Sequence, residues 1–143
     1  MNDFRLHPRL EGDTHPVTDL ALCQVRLMDD ARFAWLILVP RRAGVREVYE
    51  LTAADQARLW HEATWLGREL KLAVDGDKLN LATLGNQVPQ LHLHVIVRSE
   101  HDAAWPAPVW GFGDPEPYDA RRLESMLERV RQLVARMPDG LND

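Results

Sequence analysis

The sequence has a single cysteine, Cys23, in 143 residues. Neither an internal disulfide nor a cysteine zinc cluster can form, which agrees with a reducing compartment. No apolar run approaches the roughly 18 residues that a membrane-spanning helix needs. The opening Met1-Asn2-Asp3-Phe4-Arg5 carries no apolar stretch of the secretory kind. A cytoplasmic location without membrane association is therefore the expectation. Basic charge is also short: 17 Lys and Arg stand against 22 Asp and Glu, a net charge of −5. That balance argues against gripping long nucleic acid through a broad electrostatic footprint. It leaves room for a small anion in a local pocket. Repeats, low-complexity tracts and interdomain linkers are all missing, and the length suits one domain over residues 1–143.

What is present reads as an α+β chain. The first 19 residues are polar and predict an extended arm, with a short strand or turn, packed against the domain. Ala21 to Met28 alternates, with Gln24 and Arg26 opposite Cys23, Val25 and Leu27, as a strand does. Trp35-Leu36-Ile37-Leu38-Val39 is a continuous apolar run halted by Pro40, the pattern of a central strand. Thr52 can cap a helix whose Leu59, Ala63, Leu66, Leu70 and Ala73 share one face. A second helix is predicted from Asp119 to Arg136, with Leu123, Leu127, Val130, Val134 and Met137 at the same spacing. Between them, strands are expected near Lys78–Leu84 and Gln90–Arg98, joined by Gly85-Asn86-Gln87-Val88-Pro89. The proline-rich stretch 100–118 predicts an ordered surface loop, because Trp105 and Trp110 need somewhere to pack.

The segment Gln90-Leu91-His92-Leu93-His94-Val95-Ile96-Val97 carries the chemistry. On a strand, Leu91, Leu93, Val95 and Val97 form an apolar face that should meet the helices. Gln90, His92, His94 and Ile96 point the other way and line up an amide with two imidazoles. Sheet stability asks for no imidazole there, and histidine can be nucleophile, acid or metal ligand near neutral pH. Three readings are open: a polar strand face with incidental histidines, two ligands of a zinc-like metal lacking an obvious third, or catalysis on an anionic substrate. For the last, the preceding Gly-Asn-Gln turn could aim amides at a phosphate.

This segment resembles the signature of the histidine triad (HIT) superfamily, His-φ-His-φ-His-φ-φ with φ apolar. Leu36-Ile37-Leu38-Val39-Pro40-Arg41-Arg42, followed by a helix opening at Leu51-Thr52, is similar to that family's second conserved block. The resemblance covers a core of about residues 20–100 and leaves the Pro/Trp loop and helix of 100–137 outside it. It implies an antiparallel sheet of about five strands with two main helices, a homodimer, and a nucleotide or dinucleoside polyphosphate-like ligand. It also implies cleavage of a phosphoanhydride or phosphoramidate at the α-phosphate. In that mechanism His92 is the nucleophile, forming a nucleotidyl-histidine that water cleaves, and no metal or cofactor is required. His94 would hold non-bridging oxygens, while Asn80, Asn86 and Gln87 match substrate-binding positions. Three residues depart from the pattern. Gln90 stands at the first triad position, where it can hydrogen-bond but not carry a proton, and Gln87 stands where several relatives have serine. Leu27 falls where many relatives have a polar ribose contact; Asp29 or Asp30 could substitute, and the role is not carried over to either. The alternatives are a catalytically weak nucleotide-binding or interaction module on the same fold, and a metal-dependent hydrolase using His92 and His94. Trp60 and Trp65, off the main stripe of the long helix, are candidates for the dimer interface.

Overall fold

The apolar run ending at Pro40 becomes the middle of a sheet. In the computed structural model, which describes residues 3–138, five strands form: β1 (Thr14–Asp19), β2 (Cys23–Met28), β3 (Ala34–Pro40), β4 (Lys78–Ala82) and β5 (Leu93–Arg98). Residues 1, 2 and 139–143 of the expected single domain, and with them the start of the opening pentapeptide, lie outside the described residues. The strand order is β1-β2-β3-β5-β4, with every neighbouring pair antiparallel. This is the α+β architecture with two main helices that the sequence implies.

Period-two alternation gives the sheet two apolar faces. On one, Val25, Leu27, Leu36, Leu38, Leu93 and Val95 are fully or almost fully buried. Helix α2 (Ala53–Ala73) covers them with Leu59, Ala63, Leu66 and Leu70, and α3 (Ala120–Ala135) adds Val130 and Leu133. The stripe of α2 ends at Leu70, because Ala73 is exposed. Both helices start where the sequence places them. Thr52 accepts from the Asp55 amide at 3.1 Å, and Asp119 accepts from that of Arg122 at 2.8 Å. Glu62 pins α2 to the sheet: its fully buried carboxylate accepts from the amides of Leu22 and Cys23, both at 2.9 Å.

Three boundaries differ from the sequence reading. The polar N-terminal stretch is not simply extended; it contains a six-residue helix α1 (Pro8–Asp13) before edge strand β1. Pro8 suits the first helical turn, and Pro16 is tolerated because β1 is an edge, with a register shift between Pro16 and Thr18. Strand β4 stops at Ala82, opposite His94. Gln90, Leu91 and His92 therefore have no β4 partner and precede the strand. The Leu91 amide donates instead to the Val45 carbonyl at 2.9 Å.

The other sheet face carries Trp35, Ile37, Val39 and Ile96, packed with Leu10, Phe33, Val88, Ala104 and Val109. The 100–118 loop folds onto this face around a buried cation. Arg98, 2% exposed, donates to Asp102 at 2.7 Å and to the Ala107 carbonyl at 2.8 Å. Asp102 in turn accepts from the amides of Ala104 and Trp105. The loop is thus ordered, as its tryptophans require, and it walls one side of a cavity.

Candidate functional site

The two motif imidazoles sit 5.0 Å apart, edge to face, and are 6% and 5% exposed. His94 is on β5, opposite Ile37 of β3 and Ala82 of β4. His92 lies one residue before the strand. Its Nδ1 is 2.7 Å from the Gln90 carbonyl oxygen. A carbonyl can only accept, so Nδ1 carries the proton and Nε2 keeps its lone pair. His94 is set the opposite way. The indole Nε1–H of Trp35 donates to His94 Nδ1 at 3.0 Å, which leaves the imidazole proton on Nε2. One ring thereby keeps a lone pair on Nε2 and the other an N–H.

Burial also fixes the charge state of both rings. It lowers the pKa of His92 below the usual histidine value, against a partial rise from the Gln90 carbonyl, and the nearby His7 adds to the lowering. Burial and the neighbouring His92 depress His94 to about 3. Both rings are neutral at pH 7.

His92 and His94 line a cavity of about 650 Å³, large enough for a nucleotide-sized ligand. The turn at 84–88 borders it, so that Asn86 and Gln87 line the same cavity as the histidines. Gly85 has φ +74°, the left-handed conformation that glycine tolerates, and so lets the turn fold there. Met28, Ile37 and Phe112 supply apolar surface. Trp110 packs edge-on against His94 at 5.2 Å and against Trp35 at 6.3 Å.

Two of the expected site residues are elsewhere. Asn80 does not line the cavity; its Oδ1 accepts from Arg98 Nη1 at 3.2 Å, within the network that orders the 100–118 loop. Gln90 does not line it either, because its amide turns to the N-terminal segment. Both are engaged by a neighbour instead, Asn80 by Arg98 and Gln90 by Arg5 and His7.

Five charged residues that line the cavity carry no role from the sequence: Arg9, Asp13, Asp29, Asp30 and Arg32. Asp29 and Asp30 come directly after β2, and a pair of carboxylates at a strand end was the available signal. Asp30 is closed into an ion pair with Arg32, with 2.9 and 2.8 Å bonds, and is held below the usual carboxylate range. Asp29 accepts from the Tyr118 amide at 3.0 Å and pairs with His15 Nε2 at 3.0 Å. Burial pushes its pKa up, but the Tyr118 and His15 hydrogen bonds outweigh it and the carboxylate stays low. Among the described residues, no group of three or more His, Cys, Asp or Glu is placed to hold a metal ion. Among the described residues the metal-dependent alternative therefore finds no third ligand beside the two histidines. No helix among the described residues is long and apolar enough to cross a membrane.

The model of the HIT domain family matches residues 9–101. A histidine triad protein from Sinorhizobium meliloti 1021 is 48% identical, with a TM-score of 0.89 over 91% of this chain and 96% of that one. One from Marinobacter aquaeolei VT8 is 46% identical, with a TM-score of 0.91 over 94% and 98%. One from Bradyrhizobium japonicum is 44% identical, with a TM-score of 0.90 over 92% and 98%. No curated protein matches the chain.

Proposed function

The chain belongs to the HIT domain family, and from that premise we propose that it binds a nucleotide in the cavity and cleaves a phosphoanhydride or phosphoramidate at the α-phosphate. The observation that carries this reading is the opposed tautomers of His92 and His94. The Nε2 lone pair of His92 attacks the α-phosphorus, a P–N bond forms, and the bond to the leaving group breaks with its electron pair, a polyphosphate departing as its anion and an amine taking a proton from solvent. As the ring commits its lone pair it becomes cationic, and the Gln90 carbonyl stabilises the Nδ1–H that is then more acidic. His94 Nε2–H donates to a non-bridging oxygen as negative charge accumulates there. Water then attacks the same phosphorus and gives up a proton to solvent, the P–N bond breaks with its electron pair returning to Nε2, and His92 is restored neutral with release of the nucleoside monophosphate.

Asn86 and Gln87 suit the phosphate and leaving-group end, and the carboxylate of Asp29 suits the ribose hydroxyls. The apolar surface of Met28, Ile37 and Phe112 suits the base. Trp60 is 46% exposed on α2 and supports a homodimer through that helix, whereas Trp65 packs on the core. Sedimentation at about twice the chain mass, lost in Trp60→Glu, checks this assembly; a wild-type monomer at micromolar concentration contradicts it.

Gln90 favours a second reading, a weakly catalytic nucleotide-binding module, since no imidazole occupies the first triad position. One experiment separates the two. Chelator-treated protein is assayed on dinucleoside polyphosphates and adenosine phosphoramidates, with binding measured in parallel. Turnover without metal supports cleavage, and binding without turnover supports the module. Activity that returns only with zinc or manganese contradicts both.

A further inference from the structure

The side chain of Gln90 has both ends engaged. Its Nε2 donates to the Arg5 carbonyl at 2.8 Å, and its Oε1 accepts from the His7 backbone N–H at 2.8 Å. A carbonyl and an N–H two residues apart on one edge are the pair that a neighbouring strand would satisfy. One amide, with a donor and an acceptor pointing nearly the same way, substitutes for that strand. An imidazole cannot, because its two nitrogens diverge around the ring, and a carboxylate cannot, because it has no donor.

The clamp sets the position of helix α1. His7 caps that helix, its Nδ1 accepting from the Arg9 amide at 3.0 Å. The far end of α1 is held by Thr14, whose hydroxyl donates to the Leu10 carbonyl and accepts from buried Arg26 Nε at 2.6 Å. A six-residue helix fixed at both ends therefore borders the cavity, with Leu10 buried beneath it and Arg9 on the cavity wall. Two guanidinium groups line that cavity. Arg32 is closed onto Asp30 and the Phe112 carbonyl. Arg9 has a looser tie: Nε is 3.5 Å from Asp13, with side chains 57% and 56% exposed. Exposed pairs of this kind contribute little and exchange readily for a better anion.

We infer that Gln90 is a positioning residue whose amide clamps the N-terminal segment so that Arg9 is presented to the cavity as a ligand of the substrate's phosphate. This rests on the nucleotide reading above. Glutamine at the first triad position thus exchanges a proton-carrying ring for a held helix that presents Arg9, with Asp13 as its loose partner, to the cavity.

The test uses the full chain and the variants Q90E, Q90H, R9A and Q90E/R9A. Hydrogen exchange of residues 4–13, the affinity for AMP, and kcat and KM on a fluorogenic adenosine phosphoramidate are measured for each. Q90E and Q90H should speed exchange in 4–13, while R9A should leave it protected. Each of the four variants should weaken AMP and raise KM about tenfold, the scale of one charge-assisted phosphate contact, with kcat changed less than about threefold. Because Q90E already misplaces Arg9, the double variant should be no weaker than either single. Unchanged exchange in Q90E, or additive losses in the double variant, would overturn the clamp. A fall in kcat at constant KM in Q90E, or faster turnover in Q90H, would assign Gln90 to the chemistry instead. Wild type that leaves AMP unbound contradicts the nucleotide reading and the role of Arg9, while the exchange result still decides whether the clamp exists.

Discussion

Trp35 donates its indole N–H to Nδ1 of His94 at 3.0 Å, so a tryptophan of the central strand decides which nitrogen of a motif histidine carries the proton. The bond is enforced by register, since Ile37 faces His94 across β3 and β5 and Trp35 faces Ile96. Without that donor, either tautomer of His94 can form.

Trp35→Phe should therefore lower kcat by roughly tenfold to a hundredfold, the scale of one preorganised donor, with smaller change in KM. Nitrogen-15 shifts of the histidines should show His94 moving from a pure Nε2–H form to a mixture. An unchanged His94 spectrum and rate would show that the indole does not set the tautomer.

The depressed pKa values of His92 and His94 make stability depend on pH with a definite sign. Below about 6.5 the unfolded chain binds protons that the folded chain refuses, so stability falls as pH falls from 6.5 toward 3. Asp29, Asp30 and Asp102 are lowered below 3.8, and their contribution is lost only under more acid conditions. Between pH 6.5 and about 4.5 the slope belongs to the histidines, at most about 1.4 kcal/mol per pH unit for each ring. Urea unfolding should show His94→Gln with a visibly shallower slope in that window. An identical slope contradicts the buried neutral state.

Much of the fold was legible in the sequence because local patterns and tertiary needs agree there. The run 35–39, the caps Thr52 and Asp119, and the alternation of Leu91, Leu93, Val95 and Val97 each predict an element or a face that the structure contains. Leu93, Val95 and Val97 lie under the helices because a one-residue slip would bury the imidazoles there instead. The features that the sequence did not disclose depend on long-range partners. The helix α1 is short, and its N-terminal segment is held by the side chain of Gln90, 83 positions from His7. Arg98 draws Asn80 away from the cavity by a bond across 18 positions, and no local pattern announces that. Asp29 and Asp30 reach the cavity because the 100–118 loop closes back on their turn, through the amides of Tyr118 and Glu116.

If Asp29 receives the ribose, its loss should be felt through the sugar. Asp29→Ala should raise KM for a ribonucleotide substrate by roughly tenfold, as removal of a charged hydrogen-bond acceptor does. It should change KM for the 2′,3′-dideoxy analogue little. Equal losses on both substrates would place the effect in the fold of the β2–β3 turn and not in recognition.

The central claim, that His92 Nε2 forms a covalent intermediate, is tested most directly by trapping it. Protein mixed with an adenosine phosphoramidate is quenched within the first turnover and its intact mass and peptide map are read. A mass increase of one adenylyl group, located on His92, is the expected result. No adduct is expected in His92→Ala, whose kcat should fall by roughly 10³-fold or more while AMP still binds. Undiminished turnover by His92→Ala, or an adduct mapped to any other residue, would contradict the claim.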